Sequence, residues 1–261
     1  MNCDVNKNYP VVSIIMPAFN AAAFISLSVR AVLAQVYKSF ELIIVDDCST
    51  DNTYELAKSF ADNDFRIKLF MNNENSGPAI TRNHGLKYAT GRYIAFCDSD
   101  DIWSPDKLSI QIAFMQKKNI ALSHTSYLKM TVRGELIGSF KVRNRTVLSD
   151  ILKHNCICCS TAVIDTAFTG DFRMPDIRRA EDYALWQILL QKGFVFHGLY
   201  NELIKYRVSS ESESSNKIAA AYGHWTALRK TTNLNFFKLV YFFGCYFFIS
   251  IRRIIFGDFN Q

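Results

Sequence analysis

Several landmarks are missing from this 261-residue chain, and each absence removes a function. No GxGxxG turn follows the first apolar run, so a dinucleotide-binding crevice loses its main support. No Gly-rich loop ending in Lys-Ser/Thr occurs either, so any bound nucleotide must be held by other groups. The seven cysteines are odd in number and irregularly spaced, with no disulfide framework, which points to a reducing compartment. The densest group, HNCICC (His154 to Cys159), is followed by no second ligand pair at zinc spacing. It reads as inert thiols at the start of a buried strand. The opening MNCDVNKNYP has no apolar stretch of signal-peptide length. A net charge of +6 suits phosphate-bearing ligands or an anionic membrane surface, and no nucleic-acid partner is expected. No internal repeat is visible.

The hydrophobic content of 49% allows a sizeable core in one large domain, or one domain with an appendage. The first half alternates strand and helix patterns. VVSIIM, FELIIV, RIKLFM and RYIAFC read as buried strands. The segments AAAFISLSVRAVLAQ, a stretch to about Phe60, and GPAITRNHGLKYA read as the helices between them. Such alternation implies an α/β, doubly wound and mostly parallel sheet. Ligands in that architecture lie beyond the carboxyl ends of the strands. The polar clusters PAFN, DDCSTD, NNENSG and DSDD each follow a strand, so all four should share one rim. The second half is less regular: a helix from about Pro105, strand-like IALSHTSYLKM, a hairpin around VRGELIG, strand STAVID, helix EDYALWQILLQKG and strand FVFHGLY.

DSDD places Asp98 and Asp100 one residue apart, able to direct oxygens at one hard cation, Mg²⁺ or Mn²⁺. Helix capping is the plainer reading of DDIWSPDKL, with Pro105 at the first helical position. It accounts for Ser104 and Pro105 without requiring three upstream carboxylates. In VDDCSTD an exposed Asp47 can accept a hydrogen bond from a base or ribose, while Asp46 serves the loop amides and Ser49, Thr50 and Asp51 cap the next helix. RRAEDYALW puts Glu181 and Asp182 in a first helical turn, favourable against the helix dipole or usable as a general base.

The ordered set SIIMPAFN, FELIIVDDCSTDNT, NSGPAITRNHGL, GRYIAFCDSDDIWSPDKL and EDYALWQILLQKG resembles glycosyltransferase family 2, inverting enzymes of the GT-A nucleotide-diphospho-sugar transferase fold. The resemblance spans roughly Val11 to Arg207. It implies that Pro17, Phe19 and Asn20 line the nucleotide pocket, that Asp47 binds the base, and that Arg82 lies near the nucleotide. It further implies Asp98 against ribose and diphosphate, Asp98 and Asp100 at the metal, and Asp182 as catalytic base. Glu181, Trp103 and Asp101 would face the acceptor, with Asp101 open between that role and support of its neighbours. Cys48 stands where many relatives carry Gly, and Phe19 where Tyr is common. The QxxRW signature of processive synthases is absent, so one sugar per acceptor is expected.

FFKLVYFFGCYFFISIRRIIF (Phe236 to Phe256) is the most apolar segment. Its 16 residues from Phe236 to Ile251 would reach about 24 Å as a helix, short of a hydrocarbon core of about 30 Å. Five basic residues between Tyr222 and Gln261 oppose only Asp258, which favours anionic headgroups over a purely internal helix. The domain reading is therefore a catalytic unit over 1–208, a polar linker over 209–217, and a membrane-associating helical tail over 218–261. With the resemblance, this implies a nucleotide-sugar donor, commonly a UDP-sugar, and a polyprenyl-diphosphate-linked saccharide acceptor. It also implies surface-polysaccharide assembly on the cytoplasmic face of the inner membrane. Arg207 or Lys217 could reach a phosphate there. Two rivals compete: a receiver-like domain phosphorylated on Asp46 or Asp47, and an inactive membrane adaptor on the same fold.

Overall fold

A computed structural model describes residues 11–208 and 217–256. The segment MNCDVNKNYP, most of the polar linker and the last five residues, Asp258 among them, lie outside the described residues. The elements are β1 (Val12–Ala18), α1 (Ile25–Leu33), β2 (Phe40–Asp46), α2 (Thr53–Ala61), β3 (Ile67–Met71), α3 (Pro78–Leu86) and β4 (Tyr93–Phe96). They continue with β5 (Ile102–Trp103), α4 (Lys107–Lys118), β6 (Leu122–Met130), β7 (Leu136–Phe140), β8 (Arg145–Thr146) and α5 (Leu148–Ile151). A 3₁₀ turn (Cys159–Thr161), β9 (Val163–Asp165), α6 (Thr166–Thr169), α7 (Glu181–Gln191), β10 (Phe196–Arg207), α8 (Lys217–Thr231) and α9 (Phe236–Phe256) complete the order.

One sheet runs β3-β2-β1-β4-β9-β6-β10-β5, with β7 on β6 and β8 on β10. The first half is parallel, as its strand–helix alternation requires. Beyond β4 the sheet becomes mixed, because β9 runs antiparallel between β4 and β6. Successive strand side chains point to opposite faces, and both faces are covered. Ile15, Ile43, Val45 and Phe96 pack with Leu185 and Leu189 of α7 on one face. Ile14, Met16, Leu42 and Ile44 pack with Val29 of α1 and Leu108 of α4 on the other. Burying each such side chain stabilises the fold by about 1.5–3 kcal/mol.

The parallel register sets Ala18 beside Asp46 and Asp46 beside Met71. The polar segments after β1, β2, β3 and β4 therefore do share a rim. Three local readings need correction. Pro105 precedes α4, which begins at Lys107 after Asp106, because Ser104 to Lys107 first close a turn. Ser49 and Thr50 do not cap α2; they stitch the loop after β2 to the loop after β1, with Asn20 N–H donating to Ser49 and Thr50 N–H to Asn20. Asp51 does both, accepting the Thr53 N–H that opens α2 at 3.0 Å and the Ala22 N–H. HNCICC does not begin a strand: Cys159 opens the 3₁₀ turn, and β9 starts only at Val163.

Candidate active site

The tight turn after β4 answers how three carboxylates coexist. Asp101 N–H donates to the Asp98 carbonyl at 3.1 Å, which splays the three side chains apart. Asp98 accepts from Arg82 Nη2 at 2.6 Å, and its own N–H donates to Ser160 Oγ. Asp101 turns inward, fully buried, and Oδ1 accepts from the Arg207 N–H at 3.0 Å. Its carboxyl is pushed well up by burial and by Asp100 and Asp98, and Oδ2 finds no partner among the described residues. Asp100 stays half-buried, raised to about 6 by burial first and by Asp98 second.

Asp98 and Asp100 open onto a cleft of ≈ 480 Å³ shared with Arg82, Arg179, Glu181 and Asp182. Asp182, in the first turn of α7, is raised to about 7 by burial and then by Glu181, and it accepts the Tyr183 N–H at 2.6 Å. Arg82, only 5% exposed, reaches Glu181 with Nη1 at 2.6 Å while Nη2 holds Asp98. One guanidinium thus ties α3, the end of β4 and the start of α7. The opposite wall is aromatic: Tyr127 stacks on Phe140 at 5.2 Å and meets Tyr206 edge-on at 5.6 Å.

Other expected site residues lie elsewhere. Asp47 is buried rather than exposed, and its carboxylate accepts from Asn72 Nδ2, Ser76 N–H and Gly77 N–H at 2.6–2.9 Å. It holds the loop that leads into α3. Asn20 is exposed with φ +46°, and its side-chain oxygen accepts from Thr50. Phe19 is 48% exposed beside it, and neither these two nor Pro17 borders the cleft. Trp103, expected on the acceptor side, is 2% exposed, because its strand pairs with Ile204 and Lys107 Nζ sits 3.9 Å over its ring. Asp101 likewise turns into the core and not toward the cleft. Arg207 sends Nε to the Asp100 carbonyl and Nη1 to the Thr131 and Val132 carbonyls, while its plane lies 4.5 Å from Phe24. Asp46 accepts from both N–H and Oγ of Ser49 and is fully buried, which leaves no room for the phosphoacceptor reading.

Sequence reasoning missed Arg179, Cys158 and the aromatic wall. Cys158 and Cys159 line the cleft, but burial pushes both thiols well above the ordinary range, so they stay protonated. No local motif signals the wall, since Tyr127, Phe140 and Tyr206 come from three strands.

The donor set fits a hard cation only with help. Asp98 keeps one oxygen free of Arg82, and Asp100 adds a second carboxylate, both oxygen ligands suited to Mg²⁺ or Mn²⁺. Among the described residues no group of three or more His, Cys, Asp or Glu is arranged to hold a metal by itself. Phosphate oxygens of a bound ligand are the natural complement.

The family described as Glycosyl transferase family 2 matches residues 13–168. The putative teichuronic acid biosynthesis glycosyltransferase TuaG of Bacillus subtilis (strain 168) is 41% identical, over 94% of this chain and 97% of its own length. The Escherichia coli UDP-Glc:alpha-D-GlcNAc-diphosphoundecaprenol beta-1,3-glucosyltransferase WfgD is 37% identical, over 93% of this chain and 94% of that protein. S. aureus TarS 1-349 in complex with UDP-GlcNAc matches with TM-score 0.67 at 21% identity, covering 94% of this chain and 73% of that one. Mannosyltransferase PcManGT from Pyrobaculum calidifontis, in complex with GDP-Man and Mn2+, matches with TM-score 0.65 at 16% identity, covering 96% and 77%. At those identities the solved structures establish the shared fold.

Proposed function

The chain belongs to glycosyltransferase family 2, and from that premise we propose that it is an inverting, non-processive enzyme of bacterial surface-polysaccharide assembly. It moves one sugar from a UDP-sugar to a saccharide carried on a polyprenyl diphosphate. The observation that carries this reading is the shared cleft, with the Asp98–Asp100 pair and Asp182 opening onto the same space. The two chemistries of inverting transfer, leaving-group stabilisation and proton removal, need those groups together.

Asp182 takes the proton from the acceptor hydroxyl as that oxygen bonds to the anomeric carbon from the face opposite the diphosphate. The carbon–oxygen bond to the diphosphate breaks, and its electron pair leaves with the nucleotide. A carboxyl raised to about 7 holds such a proton well near neutral pH. Arg82 orients both sides, because it grips Asp98 and Glu181 at once. A divalent cation held by Asp98 and Asp100 would supply positive charge against the leaving diphosphate. Asp47 and Asn20 shape the nucleotide side by organising the loops after β3 and β2, with Phe19 offering an exposed ring for stacking.

WfgD is named for a glucosyl transfer from UDP-Glc to a GlcNAc-diphosphoundecaprenol, and TarS is solved with UDP-GlcNAc. These names support the donor and acceptor classes. Among the described residues no helix is long and apolar enough to cross a membrane. The tail instead packs one face on the protein, through Leu239, Phe242 and Phe243. Its other face exposes Phe237, Tyr241, Phe247 and Phe248. That aromatic stripe, with Lys238 and Arg252 nearby, supports peripheral seating on the cytoplasmic leaflet of the inner membrane, where a lipid-borne acceptor is presented.

The test is a panel of nucleotide sugars with Mn²⁺ or Mg²⁺ and N-acetylglucosamine on a short polyprenyl diphosphate. The expected product carries inverted anomeric configuration by NMR. A retained configuration, or full activity in Asp182→Ala, sinks the mechanism.

A further inference from the structure

Among the described residues three arginines line the cleft, and two are already matched. Arg82 is neutralised by Asp98 and Glu181. The guanidinium of Arg207 is committed to three backbone carbonyls. Arg179 differs: its Nε is buried without a partner, as is that of Arg82, but among the described residues nothing bonds to its Nη atoms either, whereas both Nη atoms of Arg82 are held. A half-buried guanidinium with an unsatisfied donor implies a ligand that supplies the acceptor atoms.

The backbone makes the same point independently. Arg179 adopts φ +66°, in the left-handed region that a non-glycine residue rarely enters. Such strain persists only where the surroundings impose it, and it concentrates where a side chain must be aimed. Here α8 imposes it. Gly223 lies so close that an added Cβ would sit 3.1 Å from the Arg178 carbonyl and 3.5 Å from that of Arg179. On the other side the chain enters α7, with Ala184 N–H donating to the Ala180 carbonyl. The turn delivers Arg179 to the cleft three residues before Asp182.

We propose that Arg179 binds the diphosphate of the acceptor's carrier lipid, fixing the acceptor hydroxyl against Asp182. This rests on the acceptor class of the proposed function. A planar guanidinium takes two phosphate oxygens at once, a geometry that a hydroxyl-bearing sugar alone does not reward. The position favours acceptor over donor. Arg179 shares the cleft with Asp182 and precedes it by three residues in the chain, whereas the proposed function gives the donor diphosphate to Asp98 and Asp100.

The donor also carries a diphosphate, so the test must separate the two. Farnesyl diphosphate is titrated into full-length protein saturated with UDP and Mn²⁺, and binding is followed by calorimetry. Wild type should bind. Arg179→Gly and Arg179→Gln should bind about ten- to a hundredfold more weakly, as loss of a charge-assisted hydrogen bond predicts, with Arg179→Lys in between. UDP affinity should not change. Arg179→Gly also relieves the φ strain, so it retains the fold, which a thermal melt checks. Unaltered farnesyl diphosphate binding in Arg179→Gly overturns the assignment. So does no binding by wild type while UDP is bound. A protein that binds as expected but transfers no sugar to any lipid-diphosphate acceptor would refute the proposed reaction while supporting this site.

Discussion

Arg82 on α3 and Glu181 on α7 lie 99 positions apart in sequence and meet at 2.6 Å on the floor of the cleft. The same guanidinium grips Asp98 at 2.6 Å, so one buried cation holds carboxylates from two elements. Arg82→Met would leave both without compensation, and removing one partner of a buried pair costs about 3–5 kcal/mol. Urea melts should show a loss of that size together with loss of transfer. Arg82→Lys should not restore either, because an ammonium cannot fork between two carboxylates. Near-wild-type stability in Arg82→Met would disprove the linking role.

As the proposed base, Asp182 would have to be ionised to accept a proton. With its carboxyl at about 7, kcat/KM should fall as pH drops through 7 and level off above it. Asp182→Asn should lose about 10²–10⁴-fold in rate and the pH limb with it. Stability runs the other way. A carboxyl raised in the folded state favours the fold below its unfolded pKa, and that contribution is lost as pH rises through about 7. Asp182→Asn should therefore gain stability relative to wild type between about pH 4 and pH 7.

Cys48 holds φ +60°, the left-handed conformation. A non-glycine residue there costs about 1–2 kcal/mol, against about 0.5–1 kcal/mol of extra chain entropy for glycine. Cys48→Gly should raise the melting temperature slightly, by up to about 1 kcal/mol of stability. A clear drop would mean that the thiol packing outweighs the backbone strain.

His224 of α8 is sandwiched between Tyr183 of α7 and Tyr246 of α9, at 4.4 and 3.9 Å between ring centres. Burial and His154 lower it to about 3, so the folded protein keeps it neutral. A depressed histidine stabilises above its unfolded pKa of about 6.5 and loses that contribution as pH falls toward 3. Denaturant melts at pH 7 and pH 5 should show wild type losing stability relative to His224→Phe on acidification. Parallel losses in the two proteins would rule this out.

The tail offers a cleaner probe than truncation. Deleting 233–261 strips Phe243 from Trp225 and Tyr246 from His224, so it should lower stability as well as membrane binding. Phe237→Glu with Phe248→Glu touches only the exposed stripe. That double variant should lose binding to anionic vesicles in sedimentation while its melting temperature stays put. Unchanged vesicle binding would exclude the stripe as the lipid contact.

The rim was legible because parallel strands put every strand-end cluster on one edge, and a run such as VVSIIM followed by PAFN specifies both strand and loop. Asp98 and Asp100 follow from that rule, whereas Glu181 and Asp182 are legible as the first turn of a helix and α9 as an apolar run. Other expectations failed where partners, not residue types, decide. Asp46 in VDDCSTD does hold a loop amide, that of Ser49, but Asp47 is claimed by Asn72, Ser76 and Gly77 instead of standing exposed. Trp103 looked like a rim residue until β10 paired with its two-residue strand and turned it inward.

The sequence by itself determined the family, the α/β order and the carboxylates that meet in the cleft, because those follow from local periodicity and ordered motifs. Only the tertiary structure decided how the charges are shared. It gave Arg82 two carboxylates and Arg207 three carbonyls, and among the described residues it left Arg179 strained and unpaired in the cleft it shares with Asp182. The physical reason is distance: an arginine's role depends on which acceptors stand within about 3 Å, and these acceptors come from elements far apart in the chain.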